Sequence, residues 1–190
     1  MHSKLENPFQ GLEDWQHNAC ISNFSQFGEL GGSYVRAADG LVKKTIEDSS
    51  LLDVYILPLC FLYRHGIELL LKDSLWMSQY LARGTKAFPQ THNLGHLWRE
   101  LDVNCRAIFG ADFPLTSDET ERLEHTLAQI ENHDPASYAF RYPYDTKGNR
   151  THPFLAHVNV RSMYETVHQV ADLLYRLGER VEFLCLQKNE

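Results

Sequence analysis

Two residues near the C-terminus, Arg161 and His168, have types and a spacing suited to phosphate chemistry. On a helix with about 100° per residue, a separation of seven places both side chains on one face, about 10 Å apart along the axis. A guanidinium can neutralise a phosphate, and an imidazole can transfer protons near neutral pH. Together they are the minimum set for metal-independent RNA cleavage, in which the 2′-hydroxyl attacks its own phosphate.

A structural interpretation of the same two residues is also open. Glu165 follows Arg161 by four residues, and Asp172 follows His168 by four. Pairs at this spacing form ion pairs on the exposed face of a helix. The spacing alone therefore leaves a catalytic pair and two surface ion pairs as alternatives.

A second group of charged residues lies in the most apolar part of the chain. Arg64, Glu68 and Lys72 follow each other at intervals of four, with His65 beside them. Arg64, His65 and Glu68 are candidates for binding substrate phosphate or for orienting His168. The alternative is a polar network between helices that fixes their register.

Two imidazoles four residues apart, His92 and His96, could bind a metal from one helix face. The HExxH pattern is absent and no third ligand is evident, so a capping or core role is favoured. We predict no metal and no other cofactor.

Aromatic and basic residues alternate between residues 137 and 150, where Arg141, Tyr142 and Tyr144 are candidates for RNA binding. Rings can stack on bases while the guanidinium contacts phosphate. Alternatively, the segment anchors itself to the body of the protein with its own rings. In the RNA-binding case we expect it to fold back so that Arg141 borders the same cleft as Arg161 and His168.

Apolar residues recur at steps of three, four and seven along most of the chain, which is typical of amphipathic helices. The predicted helices span residues 34–47, 50–82, 92–109, 117–133 and 159–184. Sustained alternation is absent except at 138–142, which could be a short extended piece. The pattern predicts an all-α protein, an up-and-down helical bundle with a long connection, residues 133–157, before the last helix.

Helix-breaking and helix-capping residues predict where the first two helices begin. Gly31 and Gly32 close an N-terminal arm, residues 1–32, and Ser33 is the predicted N-cap of the bundle domain, residues 33–190. Pro58 predicts that the second helix begins or kinks near that position.

Charge and composition narrow the function classes. With 18 Lys and Arg against 25 Asp and Glu, the net charge is -7, so any RNA binding must use a local basic patch. Charged residues interrupt the apolar run at 51–81, which argues against a membrane span, and residues 1–10 lack the pattern of a secretory signal. The four cysteines are widely spaced along the chain. We therefore interpret them as buried thiols in a reducing compartment. These features predict a cytoplasmic protein.

The run at residues 63–72, YRHGIELLLK, and the pair Arg161 and His168 separated by six residues resemble the HEPN superfamily of helical domains. The resemblance covers roughly residues 34–186. It implies a HEPN-like bundle and a metal-independent endoribonuclease in which Arg161 holds the scissile phosphate and His168 transfers protons. It also implies a homodimer with two such pairs facing one cleft, and a role as a toxin or phage-defence effector with an antitoxin or other partner.

Two other functions stay open. Members of the superfamily without the motif are binding modules, so the chain could be a catalytically inactive domain that binds a nucleotide or a protein. A metal-dependent hydrolase built around His92 and His96 is the third interpretation.

Overall fold

The computed structural model describes residues 19, 26–84 and 87–188. Within them are five α-helices and no β-strand, so the predicted all-α bundle is confirmed. The helices are α1 (Phe27–Glu47), α2 (Leu52–Arg83), α3 (Leu94–Phe109), α4 (Ser117–His133) and α5 (Val160–Lys188).

Helix α2 is the centre of the bundle, and α1, α3 and α5 pack around it while α4 bridges α3 and α5. Leu59, Ile67, Leu71 and Leu75 on α2 have no exposed surface, since helices cover this element on several sides. The apolar stripe of α5 from Val167 to Val181 packs into the same core. Burial of these stripes is the main favourable contribution to folding.

Helices α1 and α2 approach each other unusually closely. A Cβ atom placed on Gly66 would lie 2.8 Å from Val35 Cγ2 and 3.0 Å from the Gly31 carbonyl oxygen. These two glycines therefore allow contact between the backbones of the two helices. The absence of a side chain at each position sets the separation of α1 from α2.

The start of α1 corrects the predicted boundary of the first helix. It begins at Phe27 rather than after Ser33, and Gly31 and Gly32 are buried helical residues. Gln26 provides no side-chain cap, but the Asp73 carboxylate of α2 accepts hydrogen bonds from the backbone N–H groups of Phe27 and Gly28. Because this cap comes from a residue distant in sequence, local rules for helix starts could not find it. Most of the predicted arm lies outside the described residues.

Helix α2 begins six residues before Pro58, which therefore lies in its second turn. The segment Ser49–Arg83 is long and apolar enough to cross a bilayer by length and composition, but 56% of its most apolar window is buried inside the bundle. More than half of this window therefore lies in the core of the bundle. The thiols of Cys60 and Cys105 are also free and buried, and burial raises the pKa of each to about 12.

Side-chain caps define the starts of α3 and α4. Asn93 accepts a hydrogen bond from the His96 backbone N–H at 2.6 Å, so α3 begins after His92. Helix α4 spans residues 117–133 as predicted, and Thr116 caps it in a reciprocal capping box with Glu119.

The connection between α4 and α5 folds back against α2. Its first residue, Asp134, is fully buried, and its carbonyl oxygen accepts a hydrogen bond from Arg64 Nε at 2.9 Å. The prediction of a short extended piece at 138–142 is wrong. A turn lies there instead, closed by a hydrogen bond from the Arg141 backbone N–H to the Tyr138 carbonyl oxygen. Local hydrogen bonds to the Asp134 carboxylate compact this stretch.

Replacing Gly66 with alanine should lower the free energy of unfolding by about 1–3 kcal/mol, because the added methyl group forces α1 away from α2. Gly40 on α1 is the matched control, since nothing lies within 4 Å of a Cβ placed there. Gly40→Ala should raise the free energy of unfolding by about 0.5–1 kcal/mol. Urea denaturation measures both, and equal effects would disprove the close contact.

Candidate active site

The His168 side chain is held by a carboxylate from another helix. Its Nε2 lies 2.9 Å from Oδ1 of Asp39 on α1, and the imidazole is about one-third exposed. The ring of Tyr164 packs beside it with centroids 4.3 Å apart. His168 therefore lies where α5 meets α1, with one side of its ring open to solvent.

Asp39 is positioned by a buried tyrosine. The Tyr63 hydroxyl of α2 donates a hydrogen bond of 2.7 Å to the same Asp39 oxygen that contacts His168. Burial, followed by the hydrogen bond to Asp39, raises the pKa of Tyr63 far above its ordinary value. The phenol thus stays protonated and remains a donor that holds the carboxylate in place.

This contact defines which imidazole nitrogen is available. A carboxylate accepts hydrogen bonds, so Nε2 carries the proton directed at Asp39, and in the neutral form of the imidazole the lone pair is on Nδ1. A fixed tautomer with one free basic nitrogen is the arrangement that a proton-transferring histidine needs.

Arg161 is exposed on α5, two turns before His168. Within the described part of the chain, Glu165 forms no ion pair with Arg161, and the carboxylate beside His168 is Asp39 rather than Asp172. The interpretation of two surface ion pairs along α5 is therefore not what the structure shows.

Asp39 and Tyr63 were missed by the sequence analysis. Asp39 is 24 residues from Tyr63 and 129 residues from His168. An aspartate beside an apolar stripe is common on amphipathic helices, so nothing in its local sequence marks it as a partner of a histidine. Only the packing of α1 against α2 and α5 brings the three together.

Arg64 is 1% exposed, and each of its three guanidinium nitrogens donates a hydrogen bond within the protein. It donates to Glu68 Oε2 at 2.8 Å, to the His92 carbonyl at 2.8 Å and to the Asp134 carbonyl at 2.9 Å. A guanidinium in this position joins α2 to the residues before α3 and after α4. The guanidinium is therefore engaged within the protein rather than held ready for a phosphate.

Glu68 is equally buried and is paired with Lys72 at 2.9 Å and with His92 Nδ1 at 2.8 Å. Burial by itself would raise the pKa of Glu68, but the hydrogen bonds and charges of Lys72 and His92 outweigh it and lower the pKa. In the structure Arg64 and Glu68 therefore form the network between helices that was the alternative to a substrate-binding role.

His65 lies between two aromatic rings, with centroids 4.6 Å from Tyr34 and 5.6 Å from Phe61. Burial is the main reason that its pKa lies below the ordinary value, so the ring is neutral near pH 7. His65 packs α1 against α2 in this structure rather than joining Arg161 and His168.

The structure does not bring Arg141 to His168. Its guanidinium lies over the rings of Phe61 and Tyr142, 5.8 Å and 5.5 Å from their centroids. The side chains of Phe61 and Tyr63 project from α2 in directions about 160° apart around the helix axis, and Tyr63 is the one that contacts Asp39. Arg141 therefore lies on the other side of α2. The tyrosines at 142 and 144 remain about half exposed.

His92 and His96 point to different partners. The His92 imidazole contacts Glu68, whereas His96 is exposed, 3.8 Å from Glu100. Among the described residues no group of three or more His, Cys, Asp or Glu side chains is arranged to hold a metal ion.

No protein-family model matches this chain, and no curated protein or solved structure is significantly similar to it. The resemblance to the HEPN superfamily stays a prediction. A helical bundle alone does not determine activity, so only the geometry of the site indicates what the protein does.

Replacing Arg64 with methionine should lower the free energy of unfolding by about 3–5 kcal/mol, because Glu68 and two carbonyl groups would lose a buried donor. Arg106→Met is the control. Arg106 also pairs with a carboxylate four residues away, but it is half exposed, and its loss should cost less than about 1 kcal/mol. Thermal and urea unfolding compare the two, and a similar loss in both would contradict the network.

Proposed function

We propose that this protein is a cytoplasmic, metal-independent endoribonuclease of the HEPN type that cleaves single-stranded RNA as a homodimer. The observation that supports it best is the position of His168, which is held by Asp39 and indirectly by Tyr63 while Arg161 is exposed on the same helix face. A toxin or phage-defence effector, held inactive by an antitoxin or other partner, is the biological role that we propose.

Each residue has a defined part in the reaction. The RNA 2′-hydroxyl attacks the adjacent phosphorus, the bond to the 5′-oxygen breaks, and a 2′,3′-cyclic phosphate forms. His168 Nδ1 takes the 2′-hydroxyl proton, and Asp39 stabilises the imidazolium that results. Arg161 stabilises the charge that develops on the phosphate oxygens.

A second copy of the chain supplies what one copy lacks. In one copy, Arg161 and His168 lie on a convex helix face, which neither surrounds a substrate nor excludes water. A two-fold dimer through this face would form a cleft with two such pairs. The second protonated His168 could then donate the proton that the departing 5′-oxygen needs.

The surroundings of the pair are suited to an interface. Tyr164 and Tyr175, each more than one-third exposed, lie on the same face of α5 as His168. Tyrosine is enriched in protein interfaces because it combines apolar area with a polar group. The exposed guanidinium of Arg36 on α1 lies close to the Tyr175 hydroxyl, since both are near a Cβ placed on Gly32. Dimerisation would bring two copies of Arg36 and Arg161 together, which would supply local positive charge on an acidic protein.

Alanine at His168 or at Arg161 should slow RNA cleavage by the full chain. His168→Ala should reduce the cleavage rate by about 10²–10⁴-fold, because proton transfer is lost. Arg161→Ala should reduce it by about 10²–10³-fold, because the charge on the phosphate is no longer stabilised. Asp39→Asn should cause a smaller loss, because the amide can present either a donor or an acceptor to Nε2 and no longer fixes one tautomer. A fluorescent single-stranded RNA, incubated with and without EDTA, reports the rates.

Two surface residues serve as controls for this series. His125 on α4 and Arg180 on α5 are exposed, and alanine at either should leave the rate unchanged. RNA binding without cleavage by the unsubstituted protein would instead identify an inactive binding module. Cleavage that EDTA abolishes, or that survives in His168→Ala, would reject the proposed mechanism.

The dimer prediction is that light scattering at micromolar concentration gives twice the mass of the 22.0 kDa chain. Tyr164→Arg should shift the protein towards the monomer and reduce RNA cleavage together, because it places a like charge at the centre of the proposed two-fold interface. Val103→Arg, at an exposed position on α3, is the control. A monomeric unsubstituted protein that still cleaves RNA would disprove the composite cleft.

A further inference from the structure

A pocket of about 370 Å³ lies between α2, α4, α5 and the connection before α5. Cys60 and Val167 are buried at its floor, and Phe140 and Met163 form part of its wall. Its volume is at the lower end of the range for small-molecule sites, which suits a ligand of nucleoside size.

The pocket lies on the other flank of α5 from the candidate active site. Thr166 lines it, and Thr166 projects about 160° away from His168 around the helix axis. Neither Arg161 nor His168 lines the pocket. It is therefore a separate site, and an inference about its ligand does not depend on the ribonuclease proposal.

The charge of the lining favours a neutral ligand. Among the described residues around the pocket there is no Asp, Glu or Lys. Arg64 also lines the pocket, but its charge is paired with Glu68, and its other two nitrogens donate to the His92 and Asp134 carbonyl groups. A charged group placed in the pocket would lose its hydration without gaining an opposite charge, which is costly.

The remaining polar groups favour a flat heterocycle with a donor beside an acceptor. Carboxamides from Gln129, Asn132 and Asn159 lie around an apolar floor. Asn159 Oδ1 already caps α5 by accepting the Ser162 backbone N–H, and Gln129 contacts His125. Asn132 forms no hydrogen bond with another described residue, so both its donor and its acceptor are available.

An amide side chain matches one base edge particularly well. Asn or Gln can pair with adenine through two hydrogen bonds, one to the exocyclic amine and one to a ring nitrogen. Phe140, whose ring stacks on His152 with centroids 5.0 Å apart, offers an aromatic wall for base stacking. The imidazoles of His133 and His157, at the exposed rim, can contact ribose hydroxyls.

We propose that this pocket binds adenosine or an adenine base presented by a larger ligand, with Asn132 pairing to the base edge and Phe140 stacking against the ring.

Isothermal titration of the full chain with adenosine tests the proposal without RNA. A dissociation constant on the order of 0.1 mM is expected for a ligand of this size. Thr166→Trp should weaken binding at least about tenfold, because the indole fills the pocket. Glu165→Trp, the same change one residue away on the exposed side of α5, should leave binding unchanged.

A second pair of measurements tests the base edge with a variant at the exposed rim, Asn132→Ala. Purine riboside lacks the exocyclic amine, so the unsubstituted protein should bind it about tenfold more weakly than adenosine. In Asn132→Ala that difference should disappear, as a double-mutant comparison requires. Circular dichroism checks that each variant folds.

Three outcomes would overturn the inference. The first is no heat of binding at about 10 mM adenosine, a concentration well above the expected dissociation constant. The second is binding that Thr166→Trp leaves unaffected in a folded protein, and the third is an unchanged preference for adenosine in Asn132→Ala. None of them bears on RNA cleavage, which is measured separately through His168 and Arg161.

Discussion

The buried guanidinium of Arg64 is the constraint on which the arrangement of the bundle depends. It projects from the middle of α2 and binds the carbonyl before α3 and the carbonyl after α4. Because a buried charge without partners would be very costly, these segments must return to the same point on α2. Glu131 of α4 extends the network, since its carboxylate accepts hydrogen bonds from Asn93 and from the first N–H of α3. The network thus aligns three helices that the apolar core alone would allow to slide.

The candidate active site depends on a different contact, the close packing of α1 on α2 through Gly31 and Gly66. That approach brings Asp39 of α1 within hydrogen-bond distance of the Tyr63 hydroxyl. Helix α5 then packs on α2 and brings His168 to the same carboxylate. The imidazole therefore has two supporting layers, a carboxylate and a buried phenol, although it lies at the surface.

Helix α5 separates two regions of different chemistry. One flank, at α1, holds the ionisable pair Asp39 and His168 and an exposed guanidinium. The other flank, at α4 and the connection, is a pocket with an apolar floor and neutral polar groups. Tyr63 is common to both, because its ring lines the pocket while its hydroxyl contacts Asp39.

The sequence by itself determined the helical class, the positions of the helices to within a few residues, and the common face of Arg161 and His168, because periodicity and helix geometry are local properties. It could not determine the start of α1, whose cap is Asp73 of α2, or the burial of Arg64 and Glu68, which depends on partners from α3, α4 and the connection. The choice of Asp39 over Asp172 as the partner of His168 was also decided by tertiary packing, as was the separation of Arg141 from that histidine. In each case the deciding contact joins residues far apart in the chain, and their approach follows from how whole helices pack rather than from any local pattern.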